Sequence, residues 1–153
     1  MRRLTLIRKA TVDDLPAMLA ISQRSFDVAW TAASFEAEFL KQHTEIFVYV
    51  KDKQLVAYLI VWIIRGEGEI VSLAVDKGHR NHRIASTLLS YIFRLYGNIR
   101  EWHLEVAKDN LPAMVLYEKY NFQKTRVVKN YYGQNKDALQ MKYVRTAVSP
   151  NLY

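Results

Sequence analysis

A single carboxylate in a short apolar segment is the first feature of this chain that suggests acid–base chemistry. Glu105 is flanked by Leu104 and Val106. In an extended segment those two neighbours face one side of the sheet, and Glu105 faces the other side together with His103. Carboxylates seldom lie in an apolar strand without a reason. Glu105 is therefore either a chemical group beside a reaction centre or a residue at an edge or solvent-facing position.

Two further residues with chemically useful side chains follow Glu105. Asn110 precedes Leu111-Pro112, a pattern typical of a helix entry, where asparagine is a common N-cap. Tyr117 lies seven residues later on the predicted helix. From the residues alone, Tyr117 is either a core-packing side chain or a catalytic one.

A basic loop before a helix is the second candidate region. Basic and imidazole side chains cluster between Asp76 and the helix that begins at Ile84, namely Lys77, His79, Arg80, His82 and Arg83. A helix N-terminus offers unpaired N–H groups and the positive end of the helix dipole, which together bind phosphate. The sequence therefore predicts either an anion site at the start of this helix or a solvated basic loop.

Hydrophobic patterning predicts the elements that position these groups. Strand-like segments cover residues 4–9, 46–50, 55–64, 69–75, 102–106, 122–132 and 138–143. Helical spacing covers residues 15–26, 30–41, 84–95 and 110–120. The order β-α-α-β-β-β-α-β-α-β-β predicts a single α/β domain with a mixed sheet. We expect this domain to occupy residues 1–143, with a C-terminal tail over residues 144–153.

Composition excludes several functional classes. The chain has 153 residues and no cysteine, which excludes disulfide scaffolds, thiolate zinc sites and a cysteine nucleophile. His43 and His103 are isolated in the sequence, while His79 and His82 lie in a basic loop that repels a cation, so no metal is expected. The formal net charge of +7 indicates either an anionic partner or simply a soluble surface.

Membrane and nucleic-acid functions find little support. The longest apolar run, residues 55–64, is about half of the roughly 20 residues that a membrane helix needs. Arg8 and Lys9 interrupt the apolar stretch that a signal peptide would require. Most aromatic residues occupy core-like positions, and no aromatic–basic platform for stacking bases is present. We therefore expect a cytoplasmic protein without membrane contact or specific nucleic-acid binding.

Several of these segments together resemble a known enzyme family. Residues 71–75 followed by Arg80-Asn81-His82-Arg83-Ile84-Ala85 resemble motif A of the GCN5-related N-acetyltransferases (GNAT), whose pattern is Gln/Arg-x-x-Gly-x-Gly/Ala. The segments 104–106, 110–118 and 121–122 look like the strand and helix that follow in that family. The run from Arg126 to Gly133, with residues 137–141, is similar to the branch that acetylates the alanine N-termini of ribosomal proteins. The resemblance covers about residues 6–143.

The resemblance implies a fold, a donor and a set of site residues. It implies a mostly antiparallel mixed sheet flanked by about four helices, and acetyl-coenzyme A (acetyl-CoA) as the acetyl donor without a metal. It implies donor contacts from Leu73, Ala74, Val75, Arg80, Asn81, His82, Arg83, Ile84, Ala85, Asn110 and Tyr117. It also implies that Glu105 is the base that deprotonates the acceptor and that Tyr117 protonates the leaving thiolate. Trp30 and Tyr131 would help to form the peptide entry.

The implied acceptor is the N-terminal α-amine of a protein or peptide, with a ribosomal protein as one candidate. An α-amine has a pKa near 7.7–8.0, whereas the lysine pKa is near 10.4, so the α-amine is deprotonated more readily. The lack of cysteine excludes an acetyl-cysteine intermediate and favours direct attack of the amine on the thioester. Two alternatives remain open: a lysine or small-amine acetyltransferase, and a non-catalytic basic domain with this fold.

Motif A departs from the family pattern at one important position. Arg83 stands where the family has glycine, and Asn81 stands at a second common glycine. Glycine lets backbone amides approach a pyrophosphate without interference from a Cβ atom. Asparagine tolerates left-handed backbone, so Asn81 is a mild change. Arg83 either crowds the loop or binds a phosphate through its guanidinium.

Overall fold

Residues 4–80 and 83–146 are described by the computed structural model of the chain. They form seven strands and four α-helices in the predicted order. The elements are β1 (Thr5–Lys9), α1 (Leu15–Ser25), α2 (Ala32–Leu40), β2 (Thr44–Lys51), β3 (Gln54–Ile64), β4 (Glu67–Val75), α3 (Ile84–Leu95), β5 (Glu101–Ala107), α4 (Leu111–Lys119), β6 (Gln123–Val128) and β7 (Ala138–Val144). Short 3₁₀ turns at Val12–Asp14 and Lys77–His79 precede α1 and α3.

All seven strands belong to one sheet with the order β1-β2-β3-β4-β5-β7-β6. Among these strands, β4 and β5 form the parallel pair, and every other neighbouring pair is antiparallel. This topology confirms the predicted mixed, mostly antiparallel sheet. The helix α3 connects the two parallel strands, β4 and β5, and begins directly after the basic loop.

Helices cover the two faces of the sheet unequally. On one face, α3 and α4 pack across the sheet from Phe47 on β2 to Met141 on β7. On the other face, the core under α1 and α2 is confined to β2, β3 and β4. On that same face β5 and β7 carry polar side chains instead, namely Glu101, His103, Glu105, Gln140 and Lys142. The uneven cover leaves an open polar surface beside a buried apolar one.

A bulge in β4 lies at the border between these two surfaces. Ile60 pairs with Ser72 and Val61 pairs with Ile70, so Val71 has no register partner on β3. Val71 packs with the α1–α2 core, and the Ser72 hydroxyl lies 3.1 Å from the hydroxyl of Tyr58 in the same core. Two consecutive side chains therefore face α1 and α2. Bulges commonly re-aim side chains beside active sites.

The predicted strand over residues 122–132 is too long. β6 ends at Val128, and residues 129–137 form a loop that holds Tyr131 and Tyr132. The cause is local, because Asn130 adopts a left-handed φ of 58° and its N–H donates to Asp137 Oδ1 at 3.0 Å. A left-handed residue cannot continue an extended strand.

Smaller boundary errors have similar local causes. The predicted helix over residues 30–41 begins at Ala32, because the Thr31 hydroxyl caps it by accepting the Ser34 N–H at 3.0 Å. Trp30 therefore precedes the helix. The last strand reaches Val144, one residue beyond the predicted end of the domain. No helix in the described part of the chain is long and apolar enough to cross a membrane.

Candidate active site

The strands β4 and β5 pair at one end and separate at the other. Glu67 to Ile70 pair with Glu101 to Leu104, and the described pairing of these two strands stops there. Beyond that point β4 continues against β3, and the end of β5 continues against β7. The backbone edges that face each other across this gap are thus left without a strand partner. An extended ligand can add to such edges as another strand would.

The closed end of this split depends on a glycine. Gly68 faces Trp102 across the parallel pair, and a Cβ atom at Gly68 would lie 2.4 Å from the Trp102 ring. Trp102 is fully buried, and its ring packs edge-on against Phe93 at 5.2 Å between centroids. Because Gly68 has no Cβ atom, the indole can occupy the space above it, and a larger residue at this position would clash with the ring.

Glu105 lies at the start of the separated region and is not at a sheet edge. Its strand is flanked by β4 and β7. Gln140, its register partner on β7, donates from Nε2 to Glu105 Oε1 at 3.0 Å. The structure thus resolves one question left open by the sequence: Glu105 points from the middle of the sheet toward the face that α1 and α2 leave uncovered.

A second carboxyl, Glu69, lies beside Glu105. Glu69 pairs in register with His103, which places Glu105 diagonally across from it on the same face. Burial, the negative charge of Glu105 and a hydrogen bond between the two carboxyls raise the pKa of Glu69 to about 7. The sequence analysis missed Glu69. Its signal was the sequence Gly-Glu-Ile ahead of the motif A strand, which places a carboxyl two residues before the bulge.

The two carboxyls line an open groove with a volume of about 390 Å³. The other lining residues are Trp62, Ile64, Arg65, Glu67, Gly68 and His103. Trp62 forms its wall on β3 as the register partner of Glu69. The chain as a whole is basic, so this acidic groove is a local reversal of charge that suits a cationic group.

Trp62 is held in place by a buried carboxylate behind it. Glu38 on α2 is only 2% exposed and accepts the Trp62 indole N–H at 3.1 and 3.2 Å. Lys41 Nζ donates to the same carboxylate at 2.9 Å and lies 4.9 Å from the centre of the Trp62 ring. The Thr44 hydroxyl completes the set at 3.2 Å. These contacts fix the groove wall through α2.

The loop between β6 and β7 brings two tyrosines toward Glu105. Tyr131 and Tyr132 pack edge to face with ring centres 4.8 Å apart. Burial raises the pKa of both phenols, and the negative charge of Glu105 raises both further. The negative charge of Glu69 also raises the pKa of Tyr131. The structure therefore places the predicted residue Tyr131 near Glu105, and it adds Tyr132, which the sequence analysis did not assign to the site.

Tyr117 is buried on α4 with its hydroxyl available. Its side chain is 7% exposed and packs edge-on against Phe122 at 5.7 Å. Burial, followed by the nearby phenol of Tyr132, raises the pKa of Tyr117 far above its ordinary range. The phenol is therefore protonated at neutral pH. Within the described residues its hydroxyl has no hydrogen-bond partner. Tyr117 thus combines the core position with a proton that is free to be donated.

The predicted anion site at the start of α3 lies only partly within the residues that the structure describes. Arg83 precedes α3 with φ 59° and ψ 21°, a left-handed conformation that non-glycine residues seldom adopt. Arg80 is anchored by its own guanidinium, which donates to the Val75 carbonyl and to the Ser25 hydroxyl, each at 3.1 Å. Ile84 is buried in the core, so only its backbone faces a ligand. Asn81 and His82 lie outside the described residues.

Two further predicted site residues, Asn110 and Trp30, do not line the acidic groove. Asn110 is the N-cap of α4, its Oδ1 accepting the Ala113 N–H at 3.2 Å, which leaves its amide NH₂ for a ligand. Trp30 packs on Phe35 at 5.2 Å, and its backbone N–H donates to Ser22. Trp30 does not line the groove that contains Glu69 and Glu105.

His103, isolated in the sequence, has two carboxylate neighbours in the fold, as expected for a structural histidine. Its Nε2 lies 3.7 Å from Glu67 and 3.6 Å from Glu101. In the described part of the chain these three residues place ligand atoms within 4.8 Å of one another. The ammonium of Lys142 already lies 2.5 Å from Glu101, so a lysine compensates one of the two carboxylates of this cluster.

Comparison with known proteins agrees with this geometry. Residues 15–122 match the acetyltransferase (GNAT) family. The chain belongs to this family. It is therefore an acetyltransferase with the GNAT fold, as the motif resemblance implied.

Individual relatives and solved structures narrow the comparison. An N-alpha-acetyltransferase from Saccharolobus solfataricus is 32% identical over 151 residues, covering 88% of this chain and 90% of that protein. The ribosomal protein bS18-alanine N-acetyltransferase of Escherichia coli K12 is 26% identical over 122 residues, covering 78% and 81%. The E. coli ribosomal-protein-S18-alanine N-acetyltransferase structure superposes with a TM-score of 0.86 at 24% identity, covering 98% and 99%. Arabidopsis thaliana NAA60 in complex with acetyl-CoA has a TM-score of 0.81 at 18% identity, covering 92% and 98%.

Proposed function

We propose that this acetyltransferase transfers an acetyl group from acetyl-CoA to the N-terminal α-amine of a protein. The observation that carries the proposal is the position of Glu105 at the start of the gap between β4 and β5, next to an open acidic groove. The relatives with N-terminal acetyltransferase names support the same acceptor class. The NAA60 complex supports acetyl-CoA as the donor for this fold.

The donor fits the features that this chain provides. The unpaired edge of β4 at Leu73, Ala74 and Val75 offers backbone groups to the amides of a pantetheine arm. The start of α3, at Arg83, Ile84 and Ala85, offers N–H groups to a pyrophosphate. The free amide of Asn110 lies at the start of α4, the helix that carries Tyr117. We assign Arg80, Asn81 and His82 to the same donor site, as the motif resemblance implies.

In the proposed mechanism, Glu105 removes a proton from the acceptor and Tyr117 supplies a proton to the leaving group. Acetyl-CoA supplies the thioester whose carbonyl carbon the amine nitrogen attacks. Glu105 accepts a proton from the acceptor ammonium, which leaves the nitrogen lone pair free. Tyr117 donates its hydroxyl proton to the departing sulfur, and the second proton released from nitrogen restores the phenol. The strongly raised pKa of Tyr117 keeps this donor protonated until it is needed.

The acidic groove favours an acceptor that arrives as a cation. An α-ammonium near Glu105 would be flanked by Tyr131 from the β6–β7 loop and by Trp62 from β3. We keep Trp30 as a more distant part of the peptide entry, because it packs in the α1–α2 region.

A ribosomal protein is the proposed acceptor and the cytoplasm the proposed location, since one relative is named for ribosomal protein bS18. We also propose one catalytic domain followed by a short C-terminal tail, with the domain extending at least to Val144, where β7 ends.

A matched pair of peptides tests the acceptor class. The purified protein is incubated with acetyl-CoA and a peptide that has a free N-terminus and no lysine. The control peptide has an acetylated N-terminus and one internal lysine, and products are read by mass spectrometry. The proposal expects acetylation of the first peptide alone. Modification of the lysine peptide alone would identify a lysine acetyltransferase, and failure to bind acetyl-CoA by calorimetry would identify a non-catalytic domain.

A further inference from the structure

Glu69 is a half-buried carboxyl in the groove that the proposed mechanism does not use. It projects from β4 beside Glu105 on β5, and the pairing of these strands is fixed through Ile70 and Leu104. Both carboxyls line the same groove. Trp62, held by Glu38, limits the space on the β3 side. The sheet register thus keeps the two side chains next to each other on the same face of the sheet.

We propose that Glu69 and Glu105 act as one carboxyl pair, and that this pair, rather than Glu105 alone, receives the proton of the acceptor ammonium. The inference rests on the proposed function and extends it to a further proton-accepting residue. One N–H bond of the ammonium breaks, its electron pair stays on nitrogen, and the proton forms an O–H bond shared within the pair. The doubly charged pair becomes singly charged, and it later returns the proton to water.

Matching of proton affinities explains why a pair serves better than one carboxylate. An α-ammonium has a pKa near 7.7–8.0, whereas an isolated glutamate has a pKa near 4.3. Proton transfer from the ammonium to such a glutamate is therefore strongly unfavourable. Two like charges in contact hold one proton far more tightly than either does alone. The raised pKa of Glu69, about 7, brings the transfer close to balance.

The other charged groups near Glu69 do not replace this contact. On β5 these are Glu105 and His103, and on β4 itself Glu67. Arg65 in the β3–β4 turn and Tyr131 in the β6–β7 loop complete the set. His103 contacts Glu67 and Glu101, and Arg65 is exposed at the groove mouth. Glu105 is the neighbour whose charge and hydrogen bond act directly on Glu69.

The first test is a titration of the free protein that does not depend on activity. Side-chain carboxyls are labelled with ¹³C-glutamate and followed by NMR from pH 4 to 9. We expect one carboxyl resonance to titrate near pH 7, to vanish in Glu69→Gln and to move toward the ordinary glutamate range in Glu105→Gln. The absence of a carboxyl that titrates near pH 7 would overturn the inference, even if the protein acetylates N-termini.

The second test compares acetylation rates across pH. The ratio of the wild-type rate to the Glu69→Gln rate cancels the titration of the acceptor amine, which is common to both. We expect this ratio to rise through pH 7 and level off at roughly 10- to 100-fold. The matched control is Glu67→Gln, which removes one charge two residues away, and its ratio should show no inflection near pH 7. Equal rates for wild type and Glu69→Gln at every pH would exclude Glu69 from the reaction.

A combined variant distinguishes one unit from two independent groups. If the carboxyls act together, Glu69→Gln/Glu105→Gln should be little slower than Glu105→Gln alone, because groups that act as a unit are not additive. Independent roles would instead multiply the two losses. If no peptide is acetylated by the wild type, the proposed function fails, while the NMR titration still decides whether the pair exists.

Discussion

Two carboxylate sites lie on opposite sides of Trp62 and differ in how their charge is compensated. Glu38 is 2% exposed and receives donors from Lys41, Thr44 and the Trp62 indole. Glu69 is less buried, yet its nearest charged neighbour is another carboxyl, Glu105. One site uses three donors to hold a helix against the sheet. The other places two like charges together at the wall of an open groove.

The difference shows that burial alone does not identify a chemical carboxylate. A buried carboxylate with a full set of donors has no capacity left for a ligand, and removing it leaves donors unpaired. A carboxylate pressed against another gains proton affinity at the expense of stability, which is the arrangement found at many active sites. We therefore expect substitutions at Glu105 and Glu69 to affect mainly the reaction, and substitutions at Glu38 to affect mainly folding.

The largest expected effect belongs to Glu105. Glu105→Gln keeps the shape of the side chain and can still contact Gln140, but it removes the proton acceptor. We expect the acetylation rate at pH 7 to fall roughly 10²- to 10⁴-fold, with partial recovery at higher pH as the amine deprotonates unaided. Rates are measured at saturating acetyl-CoA, and melting temperatures are compared in parallel. Equal rates at pH 7 would make Glu105 a structural residue and remove the contrast with Glu38.

The opposite pattern is expected for Glu38. Glu38→Ala leaves the Lys41 ammonium and the Trp62 N–H without their buried acceptor, so the free energy of unfolding should fall by roughly 2–3 kcal/mol. The acetylation rate per folded molecule should change far less than in Glu105→Gln. Urea unfolding measures the first quantity, and Glu36→Ala, an exposed change on the same helix, is the control. A stable Glu38→Ala protein would show that the buried network does not hold α2.

The carboxyl pair should also leave a signature in stability. Because the folded-state pKa of Glu69 is about 7 and the unfolded value is ordinary, the folded protein binds more protons between about pH 4.5 and 7. Stability is therefore lost as the pH rises through this window. Glu69→Gln removes that loss, and it should be more stable than wild type by roughly 1–2 kcal/mol at pH 8, allowing for solvent screening. Below pH 4.5 the advantage should vanish. Urea midpoints at pH 4 and pH 8 measure it, and a pH-independent difference would contradict the paired arrangement.

The sequence predicted elements and motif residues better than contacts between strands. Hydrophobic periodicity located all seven strands and four helices, since most of them bury one apolar face, although β6 is largely exposed. The motifs pointed to Glu105 and Tyr117, which are close to each other in the chain. Glu69 was missed because its neighbour Glu105 is 36 residues away and meets it only through the parallel pairing of β4 and β5. The early end of β6 was missed because the left-handed turn at Asn130 carries no hydrophobic signal.

The smallest expected effect concerns Arg83, and it tests the other side of the gap. The left-handed backbone of Arg83, with φ 59°, is the conformation that glycine adopts without strain. The loop thus already has a glycine-like path, which favours a phosphate contact over obstruction by the side chain. Arg83→Gly should raise the free energy of unfolding by up to about 1 kcal/mol, because it relieves the left-handed strain. The same change should weaken acetyl-CoA binding by roughly 3- to 10-fold, since an exposed ionic contact is worth about 1 kcal/mol, and high salt should reduce the loss.

Arg83→Ala is the matched control, because it loses the guanidinium but keeps the strained backbone. It should bind as weakly as Arg83→Gly while being less stable. Tighter binding by Arg83→Gly in calorimetry would instead show that the arginine obstructs the site.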